Sequence, residues 1–112
     1  DVEALRAMGY SRQKAQYILE IARVLAEGGI DLESFDSLED EAALNVLLGL
    51  HGVGRWSAEY VLLRGLGRLN VFPGDDVGAR NNLRRWLHLS EPLDYEGTRQ
   101  LVGRWQPYAG LV

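Results

Sequence analysis

Two adjacent carboxylates, Asp75 and Asp76, follow a Pro73-Gly74 loop and stand where a helical pattern begins. An acid at a helix N-terminus is kept ionised at neutral pH by the helix dipole and the free N–H groups there. Such a carboxylate can stabilise positive charge that develops in a transition state, or orient and deprotonate a water molecule. The pair also has a purely structural meaning, one acid capping the helix and the other solvated, and the residues alone leave open which of the two would act. Upstream, Gly52-Val53-Gly54 lies between two helical patterns. Glycines there permit positive φ, Val53 can turn inward as an anchor, and several N–H groups can point outward at the start of the second helix, a setting for a phosphate. Gly52, Val53, Gly54 and Ser57 are the candidate anion ligands, although a C-cap followed by a sharp turn would look the same. Trp56 and Tyr60, four apart, share a helix face. Electron-rich rings so placed could line a pocket for a flat cationic group, with about 0.5–2 kcal/mol of cation–π attraction; on spacing alone, ordinary core packing is equally good.

The elements that must position these groups all read as helical. A first helix closes at Gly9, and Ser11 caps a second that runs to Glu27 and stops at Gly28-Gly29, with Ala15, Ile18, Leu19, Ala22 and Leu25 as its apolar stripe. Residues 31–35 form a short turn that packs Leu32 and Phe35 inward, and Ser37 with Asp40 resembles a capping pair for a helix ending at Gly49. A further helix spans about 55–66. Asp75 or Asp76 opens the next, through Trp86, with stripe Ala79, Leu83, Trp86 and Leu87; Arg80, Arg84 and Arg85 lie on its other faces. Asp94 caps a helix from about Tyr95 to Trp105, and Pro107 restarts one as its first residue. Trp86 and Trp105 read as core. No segment alternates as a strand, so the expected class is all-α, a helical bundle.

At 112 residues the chain is at most one domain, and its 46% hydrophobic content suffices for a core. It has no cysteine, which excludes disulfides, Cys-ligated zinc and Cys-bound iron–sulfur clusters, and with only His51 and His88 a histidine metal site is not expected. The net charge of −4 argues against indiscriminate nucleic-acid binding, but it hides an asymmetry. Residues 1–50 carry four basic and ten acidic side chains; residues 51–112 carry eight arginines against six acids. No stretch is long and apolar enough for a membrane span or a signal core, so the expectation is a soluble, intracellular protein, cytoplasmic or nuclear, that works as a monomer away from membranes.

The Leu50-His51-Gly52-Val53-Gly54-Arg55-Trp56 hairpin, followed by Pro73-Gly74-Asp75-Asp76, resembles the helix-hairpin-helix, Gly/Pro-Asp superfamily of DNA glycosylases, and within it the bacterial DNA-3-methyladenine glycosylase II branch. The likeness runs from Gly9-Tyr10-Ser11-Arg12 to Arg104-Trp105-Gln106-Pro107-Tyr108. It implies a monofunctional enzyme of base excision repair that hydrolyses the N-glycosidic bond of alkylated bases in double-stranded DNA. It makes Asp76 the catalytic acid, leaves Asp75 as helix cap or support, with Arg80 also supporting, puts a flipped base against Trp56 and Tyr60, and sets a phosphate on the hairpin. Trp56 stands where the lyase branches hold an attacking lysine, so simple hydrolysis is implied. His51 stands where the family more often has proline, which puts the hairpin's rigidity in question. No cofactor is required; a monovalent cation, Na or K, at the carbonyls of Leu50, Gly52 and Val53 is the one ion the resemblance admits. The competing readings are a non-catalytic hairpin module that grips DNA backbone, and a glycosylase of the same superfamily for a mismatched or deaminated base. The absence of Met at position 1 and of flanking helices that the resemblance implies reads as a fragment of a larger glycosylase, incomplete at both ends, for which little or no turnover is expected.

Overall fold

The computed structural model describes residues 1–112, which form helices and turns with no strand. The chain divides into two compact units, 1–53 and 54–112, where the sequence reads as one domain. The division falls in the Gly52-Val53-Gly54 turn, whose small residues leave little side chain to bury.

The first unit contains α1 (Val2–Ala7), α2 (Arg12–Ala26), a 3-10 turn (Glu33–Ser37) and α3 (Asp40–Leu48). Asp1 caps α1 by accepting from the Ala4 N–H at 2.8 Å, and Ser11 caps α2 by accepting from the Lys14 N–H at 3.2 Å. Ala15, Phe35, Ala43, Leu47 and Leu50 are buried. Ile18 and Ala22, expected on the apolar stripe of α2, are exposed, because a unit of this size has too little chain to cover both flanks of a helix. Leu32 is also exposed, leaving Phe35 as the anchor of its turn. Ser37 does not cap α3: its hydroxyl donates to the Ser34 carbonyl at 2.7 Å, and Glu39 holds the cap position without a side-chain bond. The start of α3 relies on Asp40 and Glu41 at the positive end of the dipole.

The second unit contains α4 (Arg55–Tyr60), which passes directly into a π-helical turn (Val61–Gly65), then α5 (Val77–Trp86), α6 (Tyr95–Val102) and 3-10 turns at Gly103–Trp105 and Ala109–Leu111. Leu83, Val102 and Ala109 are buried together, with Phe72, Leu87, Leu93 and Trp105 packed against them. Truncating a buried leucine such as Leu83 to alanine costs about 2–5 kcal/mol. Gly78, Asn81 and Asn82 are poor helix formers, so α5 depends on the Asp76 cap, on Leu83 and on Arg84 and Arg85 at its negative end. Pro107 does not open a helix. Gln106 before it is extended, as a residue preceding proline prefers, and the last turn begins at Ala109.

Candidate active site

Asp76 caps α5 from an extended conformation, and its two oxygens have separate duties. Oδ1 accepts from the Ala79 N–H at 3.0 Å, closing the first turn. Oδ2 accepts from the Trp56 indole N–H at 2.9 Å and from the Tyr60 hydroxyl at 3.2 Å. Trp56 and Tyr60, one turn apart on α4, lie with ring centroids 4.8 Å apart and planes tilted by 42°. The Trp56 bond first, then the Ala79 N–H, hold the Asp76 carboxyl below the usual aspartate range, with the Tyr60 hydroxyl adding to them and slight burial opposing. Asp76 is therefore an anion at neutral pH, and a poor base. It is also the helix cap that the sequence assigned to either acid; Asp75 is not.

The main chain around it is pinned as firmly as the side chain. The Gly74 N–H donates to the Phe72 carbonyl at 2.7 Å and the Asp76 N–H to the Pro73 carbonyl at 3.0 Å. Arg80 donates from Nη1 to the Gly74 carbonyl at 3.2 Å, while its approach to the Asp75 carboxylate is a long 4.0 Å. The remaining amide, that of Asp75, donates to Glu59 Oε2 at 3.0 Å, and Glu59 Oε1 accepts from the Tyr95 hydroxyl at 2.8 Å. Glu59 is only 3% exposed. Burial raises its pKa, against the lowering effect of the Asp75 N–H and the Tyr95 hydroxyl. The Arg55 guanidinium sits over the Tyr95 ring, 4.4 Å from its centroid.

A cleft of about 350 Å³ opens beside this carboxylate, its wall including Tyr60, Leu63, Phe72, Pro73, Ala79 and Trp86. Tyr60 and Ala79 are the same residues that donate to Asp76. The volume lies within the range of small-molecule sites, and the wall mixes apolar and aromatic side chains with the polar Asn82 and the charged Arg64. Trp56, which shares Asp76 Oδ2 with Tyr60, is not part of that wall. Trp86 is, and at 62% exposed it is not core. Trp105 does pack against the core, its ring 5.8 Å from that of Trp86.

On the other candidate residues, the structure separates two glycines that the sequence treats alike. Gly52 has φ +86°, and a Cβ there would land in the Tyr17 ring, so both conformation and space require glycine. Gly54 has φ −89° and ψ 173° at the N-cap of α4, with open space where a Cβ would stand; no intrachain reason excludes a side chain. Val53 donates its N–H to the Leu50 carbonyl at 3.1 Å, a bond that leaves that oxygen a second lone pair. Ser57 is half-buried in the first turn of α4. His51 is held rather than loose, its Nδ1 2.7 Å from Glu20 Oε2 and its ring edge-on to Tyr17 at 4.8 Å. No cluster of three or more His, Asp or Glu side chains is arranged to hold a metal ion.

Residues 1–107 match the family described as HhH-GPD superfamily base excision DNA repair protein. The chain belongs to this superfamily. Among the HhH-GPD proteins it is 32% identical over 108 residues to YfjP of Bacillus subtilis, covering 96% of this chain and 38% of that one. It is 33% identical over 108 residues to DNA-3-methyladenine glycosylase 2 of Escherichia coli, covering 96% and 35%. The solved structure of a 3-methyladenine DNA-glycosylase from Archaeoglobus fulgidus superposes with a TM-score of 0.78 at 38% identity, over 97% of this chain and 36% of that one. The chain thus spans a little over a third of the length of these relatives.

Glu59, Tyr95 and Arg55 were not visible as site residues from motif reading, where a glutamate four after Arg55 passes for a solvated helix pair. One signal was available: Glu59, Leu62 and Leu63 recur at i, i+3 and i+4, which puts the acid on the apolar face.

Proposed function

We propose that this HhH-GPD protein acts in base excision repair as a monofunctional glycosylase that hydrolyses the N-glycosidic bond of alkylated, 3-methyladenine-type bases in double-stranded DNA. The observation that carries the reading is the Asp76 carboxylate, held ionised by Trp56, Tyr60 and the start of α5 at the edge of an aromatic cleft. As the base departs, positive charge develops on the deoxyribose, and a fixed anion stabilises it without having to reorganise. Three donors on one carboxylate weaken it as a base, so Asp76 acts on the sugar chiefly as a charge and orients the attacking water rather than taking its proton at an early stage. An alkylated purine already bears positive charge and leaves readily, and the cleft would receive it, flipped from the stack, against Tyr60 and Trp86. Arg80 and Glu59 hold the Asp75-Asp76 loop.

Lys14 is the only lysine in the chain, and the place after Gly54-Arg55 is taken by Trp56, whose N–H is engaged with Asp76. Both features support hydrolysis without a Schiff base. The N–H groups of Gly54 and Ser57 at the start of α4, with the Gly52-Val53 turn before them, would take phosphates of the backbone; a monovalent cation on the carbonyls of Leu50, Gly52 and Val53 would serve that grip and not the reaction.

The test is product analysis with the complete gene product on methylated duplex DNA. The reading expects free methylated purines, unbroken strands carrying abasic sites, and no protein–DNA adduct after borohydride. Binding without release of any base would make the protein a DNA-binding module; release of a mismatched or deaminated base alone would move the substrate class; a borohydride adduct would make it a lyase.

A further inference from the structure

We propose that Glu59 is a positioning residue for the Asp76 loop: its buried carboxylate bridges the Asp75 N–H and the Tyr95 hydroxyl and so fixes where Asp76 meets Trp56 and Tyr60. The inference rests on the reading of Asp76 as the catalytic group and adds to it the means by which the loop is set.

The geometry separates Glu59 from the other partners of the loop. Of the three consecutive amides at Gly74, Asp75 and Asp76, the first and last donate to carbonyls of the loop itself, at Phe72 and Pro73. Only the Asp75 amide is tied to a different element, at 3.0 Å to a side chain on α4. That same helical turn supplies Trp56 and Tyr60 to the Asp76 side chain. One rigid turn therefore grips the backbone at position 75 and the carboxylate at position 76, which fixes both the place and the aim of the acid. The second oxygen of Glu59 extends the hold to α6 through Tyr95, at 2.8 Å. Tyr95 in turn lies under Arg55 and against the loop, where a Cβ on Gly74 would come within 3.1 Å of its ring. A charged group that is 3% exposed carries a large desolvation cost, and one whose two oxygens tie the loop amide of Asp75 and the Tyr95 hydroxyl to a single helical turn has a specific task. Misplacement of a reacting group by about 1 Å can cost about 100-fold in rate.

Three substitutions in the complete gene product separate the bonds from the charge. Glu59→Gln loses the charge but keeps both contacts, its carbonyl accepting from Asp75 and its amide donating to the Tyr95 oxygen. Glu59→Asp keeps the charge but withdraws the carboxylate by one methylene, out of reach of the Asp75 amide. Glu59→Leu removes both. Two readouts are followed: hydrogen exchange of the Asp75 amide, and single-turnover base release with KM for damaged duplex. For Asp and Leu the expected result is at least about tenfold faster exchange at Asp75 and about 10–100-fold slower base release, with KM within about threefold of the parent; Gln stays within about threefold on every measure. Should Glu59→Leu fail to fold, Glu59→Asp against Glu59→Gln decides. Unchanged Asp75 protection in Glu59→Asp would overturn the proposal, as would deprotection with undiminished base release, or a Gln variant as slow as the Asp variant. Failure of the Asp76 reading shows separately, as full base release by Asp76→Asn, and leaves the exchange measurement intact.

Discussion

Asp76→Asn tests whether charge or capping is the purpose of this residue, and the two oxygens allow the outcome to be worked out. Asparagine caps a helix about as well as aspartate, so its carbonyl can take over from Oδ1 and accept the Ala79 N–H. Its amide then faces the Trp56 N–H, donor against donor, where Oδ2 had accepted. The Tyr60 hydroxyl can rotate and accept instead. The net loss is one charge-assisted hydrogen bond to a tryptophan that is 48% exposed and can turn to water. A loss of about 0.5–1.5 kcal/mol follows once exposure is discounted, or a fall of a few degrees in Tm. On the proposed glycosylase reading, the catalytic loss is larger. A unit charge about 4 Å from the developing cation, at an effective dielectric of about 20, is worth about 4 kcal/mol, or about 1000-fold in rate. Binding to damaged duplex should be retained, since removing an anion near phosphates does not weaken association. Asp76→Ala should match the Asn variant in activity but melt lower, through loss of the cap at about 0.5–2 kcal/mol. The measurements are single-turnover base release, thermal melting and a duplex titration on parent and both variants. Base release by Asp76→Asn within tenfold of the parent, with Tm lowered as expected, would refute the charge argument.

The two hairpin glycines should respond oppositely. Gly52→Ala must force a left-handed alanine and displace Tyr17, costing at least about 1–2 kcal/mol in thermal unfolding, whereas Gly54→Leu should leave stability within about 0.5 kcal/mol and weaken duplex binding at low salt; unchanged affinity there would remove the phosphate assignment. Trp56→Phe should raise the Asp76 pKa toward 3.8, because the indole bond is the largest cause of its depression. The stability that Asp76 contributes is present above the unfolded value and lost as pH falls from there through the lower folded one; in Trp56→Phe the two values draw together, so the acid-side loss is smaller and complete at a higher pH. Carboxyl-carbon NMR checks the shift, and an unmoved titration would deny Trp56 that role. Glu59 has the opposite sign. Its folded pKa is raised by burial, so the folded state holds the proton more tightly and stability falls as pH rises from the ordinary 4.5 through the folded value. Glu59→Gln should flatten that fall in melting curves taken across the acid range.

Local chemistry was legible in the sequence, and tertiary burial was not. Ser11 and Asp94 read as caps because capping needs only a short polar side chain and the next three residues, and each accepts the N–H three positions on; of the acid pair either could cap α5, and the structure gives that bond to Asp76. The order of glycine turn, Trp56, Pro73-Gly74 and the acid pair identified the family because those positions are set by backbone geometry. Glu59 was missed because its charge argues for solvent until Asp75 and Tyr95 are seen around it. Trp86 was misassigned because its stripe position says which face of α5 it occupies, and not whether anything covers that face. Gly54 and Gly52 look equivalent in sequence, yet only one carries positive φ, since a turn's dihedrals depend on what packs beneath it.

The π-helical turn at Val61–Gly65 fixes the phase of α4. In an α-helix consecutive residues diverge by about 100°, and a wider turn takes up one extra residue. Here it follows directly on the Trp56–Tyr60 turn that grips Asp76, and it brings the neighbours Leu62 and Leu63 both into the interior, with Leu63 also on the cleft wall. Deleting one residue from this stretch would restore regular winding and rotate everything downstream relative to Trp56 and Tyr60. The chain can thus exchange side chains along the helix freely, but it cannot change the count between the carboxylate's partners and the cleft wall: the length of this segment is as much a part of the site as its residues.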